Sequence, residues 1–116
     1  MPKDATKLLW RVTQKARKLR QALVRELGEE VDVEQCKEWV CTTYGFRTCD
    51  DLIELYQPDS FAFDEMISGS ALRRRLSLQA ESLAFDFDLD AAAALRLVKD
   101  VRPTALRLAK NSESEG

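Results

Sequence analysis

Five short polar residues, Asp4, Asp32, Thr48, Ser70 and Asp90, each stand just ahead of a stretch in which apolar side chains recur every three or four positions. A side-chain oxygen so placed accepts a bond from an otherwise unpaired amide of a first helical turn. The recurrence gathers apolar groups on one helical face. Little room is left for a sheet, because no window alternates with period two for long and Val, Ile and Thr are scattered. The chain is predicted to be all-α, a single compact bundle of about five to six short helices.

The first helix is expected from the Asp4 cap to Leu27, with Leu8, Val12, Ala16, Leu19, Leu23 and Leu27 as its stripe and Gly28 ending it. Asp32 and Gln35 form a capping box, and Val31 with Cys36 a hydrophobic staple, so a second helix runs from Val33 to about Tyr44. Gly45 stops it in a Schellman turn that folds Phe46 back toward Cys41. Thr48 caps a third helix carrying Leu52, Ile53, Leu55 and Tyr56, ended by Pro58 and Asp59. The stretch from Asp59 to Ser70 fits either a loop or one helical turn. Ser70 caps a fourth helix, Ala71 to about Phe85, with Leu72, Leu76, Ala80 and Leu83 inward. Asp90 caps a fifth, Ala91 to Val101, with Ala94, Leu95, Val98 and Val101 inward. Pro103 keeps Arg102 out of the α region, and Thr104 starts a last short helix through about Lys110.

Residues 1–110 thus form one helical domain, and 111–116 a disordered acidic tail. Gln21, Ala22, Asp32 and Val40 are answered by Gln79, Ala80, Asp90 and Val98 at an offset of 58. The echo fits either two related helix pairs or the repetition of capping chemistry alone.

Charge is strongly segregated. The first twenty-five residues are +7, the stretch from Glu26 to Ser70 is −10, and the remainder is +1. Two oppositely charged surfaces stand behind a formal net charge of −2, and such surfaces govern which partners are attracted. No apolar run approaches the roughly 20 residues needed to cross a bilayer, and the basic N-terminus lacks the apolar stretch of a secretory signal. A cytoplasmic protein without membrane association is expected. Cys36, Cys41 and Cys49 are expected as reduced, partly buried thiols.

There is no histidine, which removes Ser-His-Asp and Cys-His catalysis and the commonest zinc ligand. Neither a glycine-rich phosphate loop nor a recognisable catalytic spacing is present. Asp86, Asp88 and Asp90 alternate like the start of a calcium loop, but Ala91 and Leu97 stand where glycine and glutamate belong. The cysteine spacings make a poor zinc set. No catalysis, cofactor or metal is expected.

The candidate sites are therefore binding surfaces. Two helices joined through Gly45 resemble a helix-turn-helix, yet the second would present Cys49, Asp50, Asp51 and Glu54, and carboxylates are repelled by a polyanion. On the first helix Lys7, Arg11, Lys15, Lys18 and Arg25 share a flank, with Trp10 opposite the stripe beside Arg17. That flank reads as a solvated face, a protein-binding face or a phosphate-binding one. Arg73, Arg74 and Arg75 open the fourth helix, where the dipole disfavours cations, and need acids from Asp64 and Glu65 or from a partner. Glu29, Glu30, Glu34, Glu38, Asp50, Asp51 and Glu54 crowd into one turn-helix-turn-helix unit, fitting either ordinary solubility or a basic partner groove.

The stretch VDVEQCKEWVCTTYGFRTCDDL, residues 31–52, resembles a short helical motif of small bacterial, plasmid and phage proteins. Asp32, Gln35, Glu38, Val40, Cys41, Gly45, Phe46, Arg47 and Leu52 match that motif, while Cys49 stands where it usually has an aromatic. Some members are labelled glyoxalase-related, but this chain has no histidine for that enzyme's metal site. The resemblance implies an accessory protein of a mobile element. The resulting expectation is a non-catalytic protein that binds a host or element-encoded protein complex, in its sharpest form an anti-CRISPR-like inhibitor of a nucleic-acid-handling defence system. Its acidic residues would face basic surfaces, with Trp10 and Arg17 or the arginine cluster as anchors. A nucleic-acid-binding regulator using the first helix is the alternative.

Overall fold

The computed structural model describes residues 3–107. Along the chain come α1 (Lys3–Leu27), α2 (Val33–Thr43), α3 (Cys49–Leu55), a single 3-10 turn (Asp64–Met66), α4 (Gly69–Phe87) and α5 (Ala91–Val101). Among the described residues there is no strand, and the fold is an all-α bundle of five α-helices. Helix α1 is its spine, packing on α2, α3 and α5, while α4 packs mainly on α5. The stripe of α1 faces the core as expected, with Leu8, Val12, Ala16, Leu19 and Leu23 buried and Leu27 at the margin.

Local chemistry sets most of the boundaries. Asp32 accepts from the Glu34 amide, Thr48 from Asp51 and Asp90 from Ala93, each from an extended backbone that turns the chain into a helix. After α2 the Phe46 amide donates to the Cys41 carbonyl at 3.1 Å and the Gly45 amide to the Thr42 carbonyl at 3.0 Å. Those two bonds make the Schellman turn, and Gly45 takes the positive φ of 92° that it requires.

Two expected caps are displaced. Helix α1 already includes Lys3, so Asp4 lies inside its first turn, where its charge complements the amide end of the helix. Helix α4 is capped by Ser68 rather than Ser70: Ser68 Oγ accepts from the Ala71 amide at 3.2 Å, and Leu72 closes the first turn on the Ser68 carbonyl. The same helix runs past Phe85 to the buried Phe87, where Asp88 ends it with φ 57°. On α5, Ala93 and Leu97 are buried with Ala94, Val98 and Val101, whereas Leu95 is half-buried.

Residues 59–68 resolve into loop and the one 3-10 turn, with Gly69 and Ser70 already in α4, and an aromatic cluster holds the segment. Tyr44 meets Phe61 at 4.7 Å and Phe63 at 5.9 Å between ring centroids, and the Arg75 guanidinium lies 4.8 Å from the centroid of Phe61.

The expected helix from Thr104 does not begin: Thr104 to Arg107 form turns and bends, and residues 108–116, with the remainder of that helix and the acidic tail, lie outside the described residues. The reason is a set of competing bonds. Arg102 takes a left-handed conformation, φ 51°, which turns the chain back over the bundle. Tyr44 Oη then donates to the Pro103 carbonyl at 2.9 Å, and the Asp64 amide donates to the Thr104 carbonyl at 3.0 Å. Glu65 accepts from the amides of Leu106 and Arg107, which hold its carboxyl below the ordinary range although burial works the other way. These residues form a strap that keeps one internal turn, the Ala105 amide donating to the Arg102 carbonyl at 3.1 Å, and otherwise bonds largely to other elements.

Candidate interaction surfaces

Glu29, Glu30, Glu34, Glu38, Asp50 and Glu54 are all exposed, and Asp51 is half-buried against the Thr48 cap. Glu34 and Glu38 are one turn apart on α2, and Asp50 and Glu54 one turn apart on α3. Like charges so spaced cost an isolated helix about 0.2–0.5 kcal/mol per pair. Internal compensation is slight: Lys37 approaches Glu34 at 3.5 Å and Arg20 approaches Glu30 at 3.7 Å. Among the described residues no ion pair holds Glu29, Glu38, Asp50 or Glu54.

The corner joining α2 to α3 is closed by sulfur. Cys41 and Cys49 are free thiols with Sγ atoms 2.9 Å apart, and Cys49 also faces the Lys37 carbonyl at 3.9 Å. Burial pushes the Cys36 thiol up to about 11, and burial with the neighbouring sulfur pushes Cys41 higher still. Burial thus favours the protonated thiols, and Cys36 and Cys41 pack as small apolar groups of the core.

The basic flank of α1 does not survive as a continuous surface. Lys15, expected on it, is 1% exposed and points into the molecule. Its Nζ donates to the carbonyls of Arg107 at 2.9 Å and Val101 at 3.3 Å. Burial, with Arg11 nearby, lowers its pKa to about 8 against the opposing pull of Asp64 and Glu65. Arg11 donates to the Leu106 carbonyl, and Lys18 pairs with Asp100 at 3.8 Å. Lys7, Arg17 and Arg25 remain exposed, together with Trp10 at 55%. Trp10 and Arg17, seven residues apart, share the outer face of α1.

The arginine cluster divides. Arg75 pairs with Asp64 Oδ1 at 3.1 Å, and Arg102 with Oδ2 at 3.1 Å. Asp64 is 2% exposed and also accepts the Thr104 hydroxyl at 2.7 Å, so a buried charge is fully compensated. Glu65 is spent on the strap. Arg73 and Arg74 are exposed, and among the described residues neither has an ion pair.

Between the C-terminal turn of α2 and the outer face of α4 lies a groove of 790 Å³. The two helices do not pack closely; Trp39 Nε1 donates to Ser82 Oγ at 3.0 Å and spans them near one end of the groove. Thr42, Thr43, Arg74, Leu78, Gln79 and Ser82 contribute to its lining. Leu78 is 58% exposed, and one and a half to two turns further along the same face Phe85 is 88% exposed. Gln79 is 6% exposed, its Nε2 donating to Thr104 Oγ1 at 2.9 Å while Oε1 has no donor.

Sequence reasoning missed Leu78, Gln79 and Phe85. The signal was present for Leu78 and Phe85, which stand off the stripe of Leu72, Leu76, Ala80 and Leu83. Nothing in the sequence marked Gln79, whose burial follows from where the strap crosses α4. Among the described residues no helix is long and apolar enough to cross a membrane. Compared with models of protein families, with curated proteins and with solved structures, the chain finds no match.

Proposed function

We propose that the chain is a non-catalytic accessory protein of a mobile element that binds a protein complex, as an inhibitor of a host nucleic-acid-handling defence system in the manner of anti-CRISPR proteins. The observation that carries the protein-binding part is the unequal fate of the two charged surfaces. Lys15, Arg11 and Lys18 of the basic flank are engaged within the chain, while Glu29, Glu38, Asp50 and Glu54 are left exposed without an ion pair among the described residues. A surface that retains unpaired like charges at helical spacing is relieved by a basic partner. Trp10 and Arg17 offer the side-chain types that dominate binding hot spots. The mobile-element context rests on the motif of residues 31–52.

The test is affinity capture from bacterial lysates containing CRISPR effector complexes, with the wild-type chain and a Glu38→Lys/Glu54→Lys double variant side by side. Recovery of an effector complex by the wild type, its loss with the variant, and inhibition of that complex's target cleavage by the purified chain are the expected results. Failure to recover any protein at several ionic strengths would overturn the reading. Steeply salt-dependent mobility shifts of DNA or RNA would favour a nucleic-acid-binding regulator instead.

A further inference from the structure

Gln79 has an orientation that the surrounding bonds determine. The Thr104 hydroxyl spends its proton on Asp64 Oδ1, so toward Gln79 it can only accept. The Gln79 amide must therefore turn Nε2 to Thr104 and leave Oε1 on the other side, an acceptor in a residue that lines the groove. That oxygen is closed to solvent and has no donor among the described residues, which costs about 1–3 kcal/mol. Also on the groove, Arg74 is an exposed cation with no ion pair among the described residues, and Arg73 one residue earlier repeats the excess. Leu78 and Phe85 add apolar surface along the same helical face, about 10 Å apart along the axis.

An exposed guanidinium and two spaced apolar side chains on one helical face suit a short acidic peptide. A carboxylate pairs with Arg74, and apolar side chains cover Leu78 and Phe85. We infer that the groove between α2 and α4 binds an acidic peptide segment of a partner protein that carries two apolar anchors. Charge complementarity decides the occupant: the groove's charged lining is Arg74 and Arg75, Arg75 is paired with Asp64 and belongs to the fold, and Arg74 has no ion pair among the described residues. None of the acidic residues of α2 and α3 is among the residues that line it.

The experiment is panning of random short peptides on the wild-type chain, followed by affinity measurement with fluorescent copies of the enriched sequences. Enriched peptides are expected to be acidic with two apolar residues. Arg74→Glu, Leu78→Ser and Phe85→Ser, all substitutions at exposed positions, should each weaken binding about tenfold. An Asp50→Lys/Glu54→Lys variant, both positions on α3, which contributes nothing to the groove's lining, should bind them unchanged, so failure here is distinguishable from failure of the acidic face. A second readout follows the Gln79 side-chain amide by NMR, whose resonances should move when peptide is added. Enrichment of neutral or basic peptides, no enrichment, or binding indifferent to Arg74→Glu would overturn the inference. Self-association in sedimentation equilibrium that is lost in Phe85→Ser would overturn it in favour of a second copy of the chain.

Discussion

The Thr104 hydroxyl donates to Asp64 Oδ1 at 2.7 Å while the Asp64 amide donates to the Thr104 carbonyl at 3.0 Å, a reciprocal clasp between residues 40 apart in sequence. Removing the carboxylate strands Arg75, Arg102 and Thr104 together. Asp64→Ala is expected to lower the unfolding free energy by about 3–5 kcal/mol, and Thr104→Val by about 1–3 kcal/mol. Urea unfolding followed by circular dichroism checks both, and a loss smaller for Asp64→Ala than for Thr104→Val would contradict the clasp.

Lys15 gives stability a pH dependence of definite sign. Its folded pKa of about 8 lies below the ordinary 10.5, so between these values the unfolded chain binds the extra proton. Stability from this group therefore rises with pH through that window. The cysteines act oppositely above about pH 9, where an unfolded thiol ionises before the buried Cys36 does. From pH 8 to 9 the change in stability should be more favourable in the wild type than in Lys15→Met by about 1 kcal/mol, a difference from which the opposing cysteine contribution, common to both chains, cancels.

Gly45 and Gly69 should respond differently to alanine. Gly45 has φ 92° and open space around it, so only backbone strain opposes a methyl group, and Gly45→Ala should cost about 1–2 kcal/mol. Gly69 opens α4, and an added Cβ would lie 3.8 Å from Arg73, an ordinary contact. Gly69→Ala is expected to leave thermal stability unchanged or slightly raised.

On α4, Leu83 and Phe85 are two residues apart and opposite in environment. Leu83→Ala should cost about 2–5 kcal/mol through cavity formation, whereas Phe85→Ser should stay within about 0.5 kcal/mol. Thermal denaturation of the two variants separates them, and a large loss for Phe85→Ser would mean that the ring is part of the fold.

The helices were legible where chemistry is local. Asp32, Thr48 and Asp90 each act within a few residues of themselves, and Gly45 with Phe46 writes the end of α2 in the same short range. Ser70 misled because Ser68 offers the same chemistry two residues earlier, and the tie between Ile67 and the Asp64 carbonyl delivers the chain to Ser68 already extended. Lys15 misled for a different reason. Its angle on α1 places it at the edge of the stripe, and only the strap, arriving from residues 101–107, turns that edge into interior. The exposed carboxylates of α2 and α3 were legible as a group, and the groove beside α4 was not, because its walls come from segments about thirty residues apart.

That strap sets an order of events during synthesis. Tyr44, Asp64, Gln79 and Lys15 all wait for partners between Val101 and Arg107. On the ribosome the helices can form and pair as they emerge, yet the bundle cannot lock until residue 107 has cleared the exit tunnel. Until then Lys15 and Asp64 keep their water, because closing the bundle over them before their partners from residues 101–107 arrive would bury charges only partly compensated.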